Sequence, residues 1–182
     1  MSSIRRAART DAAEITHLIE SAYRGESGLR GWTTETHLIG GQRTDIQEIT
    51  ERLHREATVF LVLKNAGELV ACCMLERREN AAYFGMFAVS PARQSEGFGA
   101  QMLAHAETYA ATQWKASVMI MSVIQQRSEL LAWYRRKGYH PTGDTLPFPY
   151  GDPRAGLPKR DDLVFLVLEK QLSSLESTSN GA

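Results

Sequence analysis

The sequence predicts an α/β (α+β) domain with a mixed central sheet of about six to seven strands, flanked by about four helices. Three observations carry that expectation. Apolar runs of strand length, such as Val59 to Leu63 and Val118 to Ile124, alternate with segments of helical period, such as Phe98, Met102, Ala106, Tyr109 and Ala110. Asn65-Ala66-Gly67, set between two apolar runs, signals a hairpin and so places antiparallel strands in the sheet. The Val118 to Ile124 run lies on the far side of a helix from Tyr83 to Val89, which makes the two parallel neighbours joined by a crossover.

In chain order, Ile4 to Ala7 is a short strand. Asp11, with Glu14 three residues on, forms a capping box for a helix whose inward face is Ile15, Leu18, Ile19 and Ala22. Tyr23 to Gln42 then breaks the pattern with five glycines while keeping Tyr23 and Trp32. Solvated linkers seldom keep tryptophan, so this is either a folded loop beside a binding site or a loop pinned to the core by its Trp. Thr44 caps a second helix with Ile46, Ile49 and Leu53 inward.

Strands follow at Val59 to Leu63, Leu69 to Leu75 and Tyr83 to Val89, then a helix to about Ala111 and the Val118 strand. Glu129 to Lys137 is a helix ended by Gly138, and Tyr139 to Thr142 begins another strand. Five of the six prolines fall between Pro141 and Pro158, which predicts a long ordered loop without regular pairing. Leu163 to Leu168 is the last strand. The serine-rich end reads as a disordered tail, so a single domain spans 1–172 and the tail 173–182.

Composition narrows the function. A chain of 182 residues is one domain by length and is long enough to bury a core. Lysine plus arginine and aspartate plus glutamate number 21 each, so the basic surplus usual for a nucleic-acid partner is lacking. No signal-type apolar region opens the chain, and no apolar run approaches the ~20 residues of a membrane span. Cys72 and Cys73 are adjacent on a strand, point to opposite faces and cannot pair with each other, as fits a reducing cytoplasm. Without C-x-x-C or clustered histidines, no metal site is expected.

The stretch that carries chemistry is Val89 to Leu103, strand-loop-helix with Gln94, Gly97 and Gly99 where the loop closes onto the helix. Glycines there let backbone N–H groups approach a ligand, and the helix N-terminus adds about half a positive charge. From these residues alone it is an anion site or a plain strand-to-helix turn. A P-loop needs Lys and Ser/Thr after its second glycine, where Ala100 and Gln101 stand. A dinucleotide fingerprint needs a third glycine or alanine where Met102 stands.

What remains, Gln94-x-x-Gly97-x-Gly99 after Val89-Ser90-Pro91, resembles the acetyl-CoA loop of the GCN5-related N-acetyltransferases, the GNAT superfamily. Tyr134-x-x-x-Gly138-Tyr139, about 40 residues on, resembles a second segment of that family. The order β-α-α-β-β-β-α-β-α-β-β is also the family's, so the resemblance spans Ile4 to Lys170. It implies a GNAT fold in which the Tyr83 strand splays from its parallel neighbour, Gly85 marking a bulge that helps the splay. It implies acetyl-CoA as co-substrate, with the pyrophosphate on Gln94, Ser95, Gly97, Phe98, Gly99 and Ala100 and Arg93 at the 3′-phosphate. Pantetheine would pair with the main chain of Phe87, Ala88 and Val89 and pass Arg127, which stands where the family often has asparagine. Tyr134 would lie beside the sulfur and protonate the departing thiolate.

Glu96 departs from the family pattern and sets a negative charge beside the phosphates, with Arg93 to offset it. For the base, Glu76 leads, with Glu26 and Glu35 next and a water chain as the other route. The acceptor would be closed in by Tyr23, Trp32 and Glu35 of the early loop and by Phe148 and Tyr150 of the proline-rich loop. The implied activity is an acyl-CoA-dependent N-acyltransferase, moving acetyl to a primary amine of a small molecule or peptide within a ternary complex. A non-catalytic CoA-binding sensor or interaction module of the same fold is the alternative, and a homodimer stays open.

Overall fold

The computed structural model describes residues 1–24 and 34–173. Among them, four α-helices and nine strands run in the order β1 (Ser2–Arg6), α1 (Ala12–Tyr23), β2 (Ile39–Gly40), α2 (Ile46–Leu53), β3 (Thr58–Asn65), β4 (Glu68–Arg77), β5 (Ala81–Val89), α3 (Phe98–Gln113), β6 (Val118–Ile124), α4 (Ser128–Arg136), β7 (His140–Pro147), β8 (Leu157–Pro158) and β9 (Val164–Gln171). Seven strands form one sheet in the order β1-β3-β4-β5-β6-β9-β7, and β2 pairs with β8 apart from it. Only β5 and β6 run parallel; the other pairs are antiparallel. This is the mixed α/β sheet that the sequence predicts.

Helices cover both faces. Ile15, Ile19 and Ile49 of α1 and α2 bury Phe60, Val62, Cys72 and Met74, while Met102, Ala106 and Leu131 of α3 and α4 bury Leu61, Cys73 and Leu75 on the other side. Strand alternation therefore sends the two cysteines into different cores, both as free thiols. A strand covered on both faces can be apolar throughout, which is why β3 and β4 read as nearly unbroken apolar runs. The hairpin between them turns on Ala66 and Gly67, both at positive φ (51° and 85°).

The parallel pair is short. Its register runs only from Ala81↔Val118 to Tyr83↔Ile120, after which β5 stays with β4 and β6 stays with β9. Beyond Tyr83 the two strands part, and a hydrogen bond of 2.7 Å between the Tyr83 hydroxyl and Ser122 Oγ ties the base of the fork. A bulge re-aims β5: Met74 faces Gly85 but Cys72 faces Ala88, so Met86 and Phe87 together oppose Cys73. The strained residue is Met86, at φ 45°, whereas Gly85, expected to mark the bulge, stays in register.

Three local expectations are corrected. Asp11 does not cap α1 through a capping box: its carboxylate turns back to accept from the Ala8 N–H (2.7 Å) and, bidentately, from Arg5 (2.7 and 2.8 Å). The cap of α2 is Asp45 rather than Thr44, accepting from the Glu48 N–H at 2.8 Å, and Ile46 at its first position is 54% exposed rather than inward. The proline-rich segment is not unpaired, for His140–Pro147 forms β7 against β9 with a break in register between Pro141 and Thr145. An outermost strand has one side free of ladder bonds, so it tolerates residues that lack an N–H.

Candidate active site

The Val89 to Gly97 segment leaves the tip of β5 through a short turn at Pro91–Arg93 and enters α3 at Gly97. Gly97 sits at φ 84°, a left-handed conformation that an L side chain resists, and a Cβ there would otherwise meet open space. Gly99 is needed for a different reason: a Cβ would come within 3.3 Å of Phe87 Cζ and 3.4 Å of Val89 Cγ2. The first turn of α3 is thus pressed onto the end of β5. That turn carries no acidic residue, and among the described residues no side chain caps Gly97, so the positive end of a 16-residue helix faces the space in front of it.

In front of it lies a groove of about 570 Å³, lined by Phe87, Val89, Gln94, Gly97, Gly99 and Trp133 among others. Arg93, Ser95, Phe98 and Ala100 also line it, as the sequence leads one to expect. Its far wall is a stripe of α4, with Glu129, Ala132, Trp133 and Arg136 at helical spacing. These four are absent from the sequence-based set, although the spacing from Tyr134 could have revealed the stripe. Trp133 stacks on Phe87 with ring centroids 6.0 Å apart. Glu96 does not line the groove; it pairs with Arg93 at 2.6 and 2.9 Å, with Arg93 over the Phe98 ring.

On the other side of Phe87 a second cavity, of about 200 Å³, occupies the fork. Its walls include Tyr83 to Phe87 of β5, Met121 to Ile124 of β6, and Tyr23, Glu35, Arg43, Arg127 and Tyr134. Tyr134 is 4% exposed, and burial pushes its phenol well above the ordinary range, so it holds its proton. Tyr23 donates from its hydroxyl to the Phe87 carbonyl at 2.5 Å, and the guanidinium carbons of Arg43 and Arg127 stand 5.5 and 5.3 Å from its ring centroid. Glu35 is buried and accepts from Arg24 (2.8 Å) and Arg127 (2.9 Å). Burial alone would raise its pKa, but Arg127, Arg43 and Arg24 together outweigh that and hold the carboxyl below its usual value.

The expected residues therefore divide. Tyr134, Tyr23, Glu35 and Arg127 converge on the fork cavity, and Arg127 faces Glu35 there instead of the α3 groove. Ala88 is buried against α1 and α2 and lines neither space. The carbonyls of Phe87 and Val89 already have donors, Tyr23 and Gln94 (3.3 Å). Glu76 does not line the cavity and lies 3.6 Å from Arg78. Phe148 is not at the cavity mouth but in a small core with Leu38, Ile39 and Leu163, because stacking on Phe165 removes its ring from water. Tyr150 is spent on that same corner, donating to the Arg160 carbonyl and accepting from the Leu163 N–H, both at 2.9 Å. Trp32 and Glu26 lie outside the described residues. Arg24 and Arg43 were not anticipated, since nothing local in the sequence links them to the fork.

Comparison with known proteins agrees with this fold. Residues 56–141, from the start of β3 into β7, match the acetyltransferase (GNAT) domain family. No curated protein matches the chain. Among solved structures, the ribosomal-protein-S18-alanine N-acetyltransferase of Escherichia coli is 15% identical, with 98% of each chain covered and a TM-score of 0.71. An N-acetyltransferase from Staphylococcus aureus is 15% identical, covering 94% of this chain and 98% of that one at a TM-score of 0.71. The spermidine/spermine N-acetyltransferase SpeG of Vibrio cholerae is 17% identical, covering 94% and 93% at a TM-score of 0.66. At such identities the likeness is one of fold.

Proposed function

We propose that this chain, which belongs to the GNAT superfamily by its fold and its domain match, is an acyl-CoA-dependent N-acyltransferase that moves acetyl to a primary amine in a ternary complex. The observation that carries the reading is that the two spaces meet at Phe87. Phe87 is shared by a groove at a helix N-terminus without a side-chain cap among the described residues and by a fork cavity whose wall holds a neutral phenol. Acetyl-CoA supplies the activated acyl group as a thioester. The residues present fit it: the α3 N–H groups and Arg93 or Arg136 suit phosphates, and the apolar faces of Phe87, Val89 and Trp133 suit the pantetheine arm.

Tyr134 keeps its proton through burial, so it can give that proton to the sulfur as the acceptor nitrogen bonds to carbon and the C–S bond breaks. The nitrogen's surplus proton leaves to water, since Glu35 is held ionised by its arginines and Glu76 lies elsewhere. Tyr23, Phe87 and Leu130 line the fork cavity and would shield a thioester held there from bulk water. The relatives named above differ in acceptor, a ribosomal-protein alanine in one and spermidine in another, so the fold alone does not select one.

We further read residues 1–172 as one domain, supported by a single seven-strand sheet that needs both β1 and β9. A cytoplasmic setting is supported by the two free, buried thiols, with the Cys72 thiol pushed up to about 12 by burial and therefore inert. Among the described residues, no helix is long and apolar enough to cross a membrane. The deciding experiment is mass spectrometry of an amine panel incubated with acetyl-CoA and the full chain. Acetylated amine with release of free thiol is expected; cofactor binding without any product would favour the sensor instead.

A further inference from the structure

We propose that Tyr23 is a second catalytic phenol, whose hydroxyl donates to the thioester carbonyl oxygen and steadies the negative charge that gathers there; this rests on the acyltransferase reading above. The Tyr23 hydroxyl stands where the two spaces meet. It donates to the Phe87 carbonyl at 2.5 Å, and Phe87 lines both the groove and the fork cavity. Tyr134 lines the same cavity, and after burial itself the Tyr23 phenol is the largest influence keeping the Tyr134 proton in place. Sulfur and carbonyl carbon are directly bonded, so a thioester whose sulfur reaches Tyr134 carries its carbonyl into the small cavity that Tyr23 lines.

The donor is fixed before any ligand arrives. The main-chain carbonyl of Tyr23 accepts from the Glu35 N–H (3.2 Å), from Arg24 Nη1 (3.3 Å) and from Thr36 Oγ1 (3.4 Å), which pins the end of α1. Guanidiniums of Arg43 and Arg127 stand against its ring. Burial raises the Tyr23 phenol and outweighs the pull of those two arginines, so the hydroxyl keeps its proton. Among the described residues, the other hydroxyls lining the cavity are committed: Tyr83 and Ser122 bond each other at 2.7 Å, and Tyr134 serves the sulfur. One preorganised donor aimed at a developing oxyanion is typically worth about 10²–10³ in kcat.

Only the hydroxyl proton has to turn. A phenol O–H rotates about its C–O bond to suit its partner, and an amide N–H of the pantetheine arm can take over the Phe87 carbonyl. As the acceptor nitrogen forms the C–N bond, the carbonyl π pair moves onto oxygen, where the Tyr23 O–H holds it by a hydrogen bond. The pair then returns to re-form C=O, the C–S bond breaks, and sulfur takes the Tyr134 proton. The proton lost by nitrogen passes to water, and Tyr134 is reprotonated from water. Tyr134 gives up a proton in each cycle, whereas Tyr23 keeps its own.

The test compares acetyl-CoA with S-ethyl-CoA, a thioether of nearly the same size that lacks the carbonyl oxygen, by calorimetric titration of the full chain. Acetyl-CoA should bind the wild type roughly threefold to tenfold more tightly, the range of one neutral hydrogen bond. Tyr23→Phe should erase that difference and leave S-ethyl-CoA affinity unchanged. Equal loss for both ligands would make Tyr23 a strut behind Phe87, and a difference that survives in the variant would assign the carbonyl to another donor; either overturns the proposal. Infrared spectra of the wild type with acetyl-CoA isotope-labelled at the acetyl carbonyl read the same contact without any variant. The bound carbonyl band should lie at lower frequency than that of free acetyl-CoA, and an unshifted or raised band overturns the proposal. Wild-type melts that coincide with and without acetyl-CoA would sink the acyltransferase reading, whereas a protein stabilised alike by both ligands would sink only this inference.

Discussion

The groove at the start of α3 and the cavity in the β5–β6 fork share Phe87, yet they are built by opposite means. The groove is mostly one continuous stretch, Phe87 to Ala100, backed by a stripe of α4, and its charged pair Arg93–Glu96 is a local contact three residues apart. The cavity is assembled from α1, the segment before β2, the segment before α2, β5, β6 and α4, and its central contact joins residues 92 apart. One presents backbone and a helix dipole to solvent, and the other buries full charges. A site of the first kind depends on backbone conformation and is screened by salt; one of the second kind depends on pairing and burial, and responds sharply when a partner is removed.

The largest effect expected from that contrast is catalytic. Tyr134→Phe keeps the ring and its packing on Tyr139 (centroids 5.8 Å apart), so acetyl-CoA affinity should hold. Turnover should fall by about 10² to 10⁴, with kcat and kcat/KM reduced together, as for a group acting in the transition state. Wild-type turnover in the variant, measured by free-thiol release with chemistry rate-limiting, would remove the phenol from the mechanism.

Next in size is stability at the cavity. Glu35→Gln leaves Arg24 and Arg127 facing a neutral group and should destabilise the fold by about 3–5 kcal/mol, read from urea melts at pH 7. The pH dependence has a definite sign. Because the folded pKa of Glu35 lies below the ordinary carboxylate value, its contribution is present above the unfolded pKa and fades as pH falls through the folded one. The wild type should therefore lose its margin over Glu35→Gln on acidification, and a gap that stays constant from pH 7 to pH 3 would contradict the pairing.

Smaller effects belong to the groove. Acetyl-CoA at about 100 times its dissociation constant should add roughly 2.7 kcal/mol of stability. Gly97→Val should lose that gain by disfavouring the left-handed φ that aims the α3 N–H groups, and an unchanged ligand-induced shift in Tm would argue against the helix start as the phosphate cradle. Smallest of all, Glu96→Gln leaves Arg93 with Glu68 as its remaining carboxylate partner and should tighten CoA binding a few-fold at low salt, the gain shrinking as salt rises. A change independent of salt would mean that Arg93 does not reach the phosphates.

Most of what is local was legible before any coordinates. The hairpin at Ala66-Gly67, the glycine loop into α3 and the Gly138 stop after α4 are each written in adjacent residues, and the parallel β5–β6 pair in the strand-helix-strand order. Backbone periodicity and glycine's freedom act over one or two turns of chain, which a sequence displays directly. Where several local solutions compete, reading the sequence picks among them less well. Asp11 had both a capping box and Arg5 within reach, and the bidentate pair won. Prolines argue against a strand until the strand's place at the sheet edge is known, as with β7.

The sequence by itself determined the fold class and the glycine loop that opens α3, because these depend on spacing along short segments, and a family resemblance pointed to Tyr134. Only the tertiary structure decided that Met86 carries the bulge, that Trp133 and Arg136 wall the groove, and that Glu35 is shared by Arg24 and Arg127 beside Arg43. Charges distant in sequence leave no periodic trace. Their partners are set by which loops the sheet brings together, and once buried they must find one another because water is no longer there to solvate them.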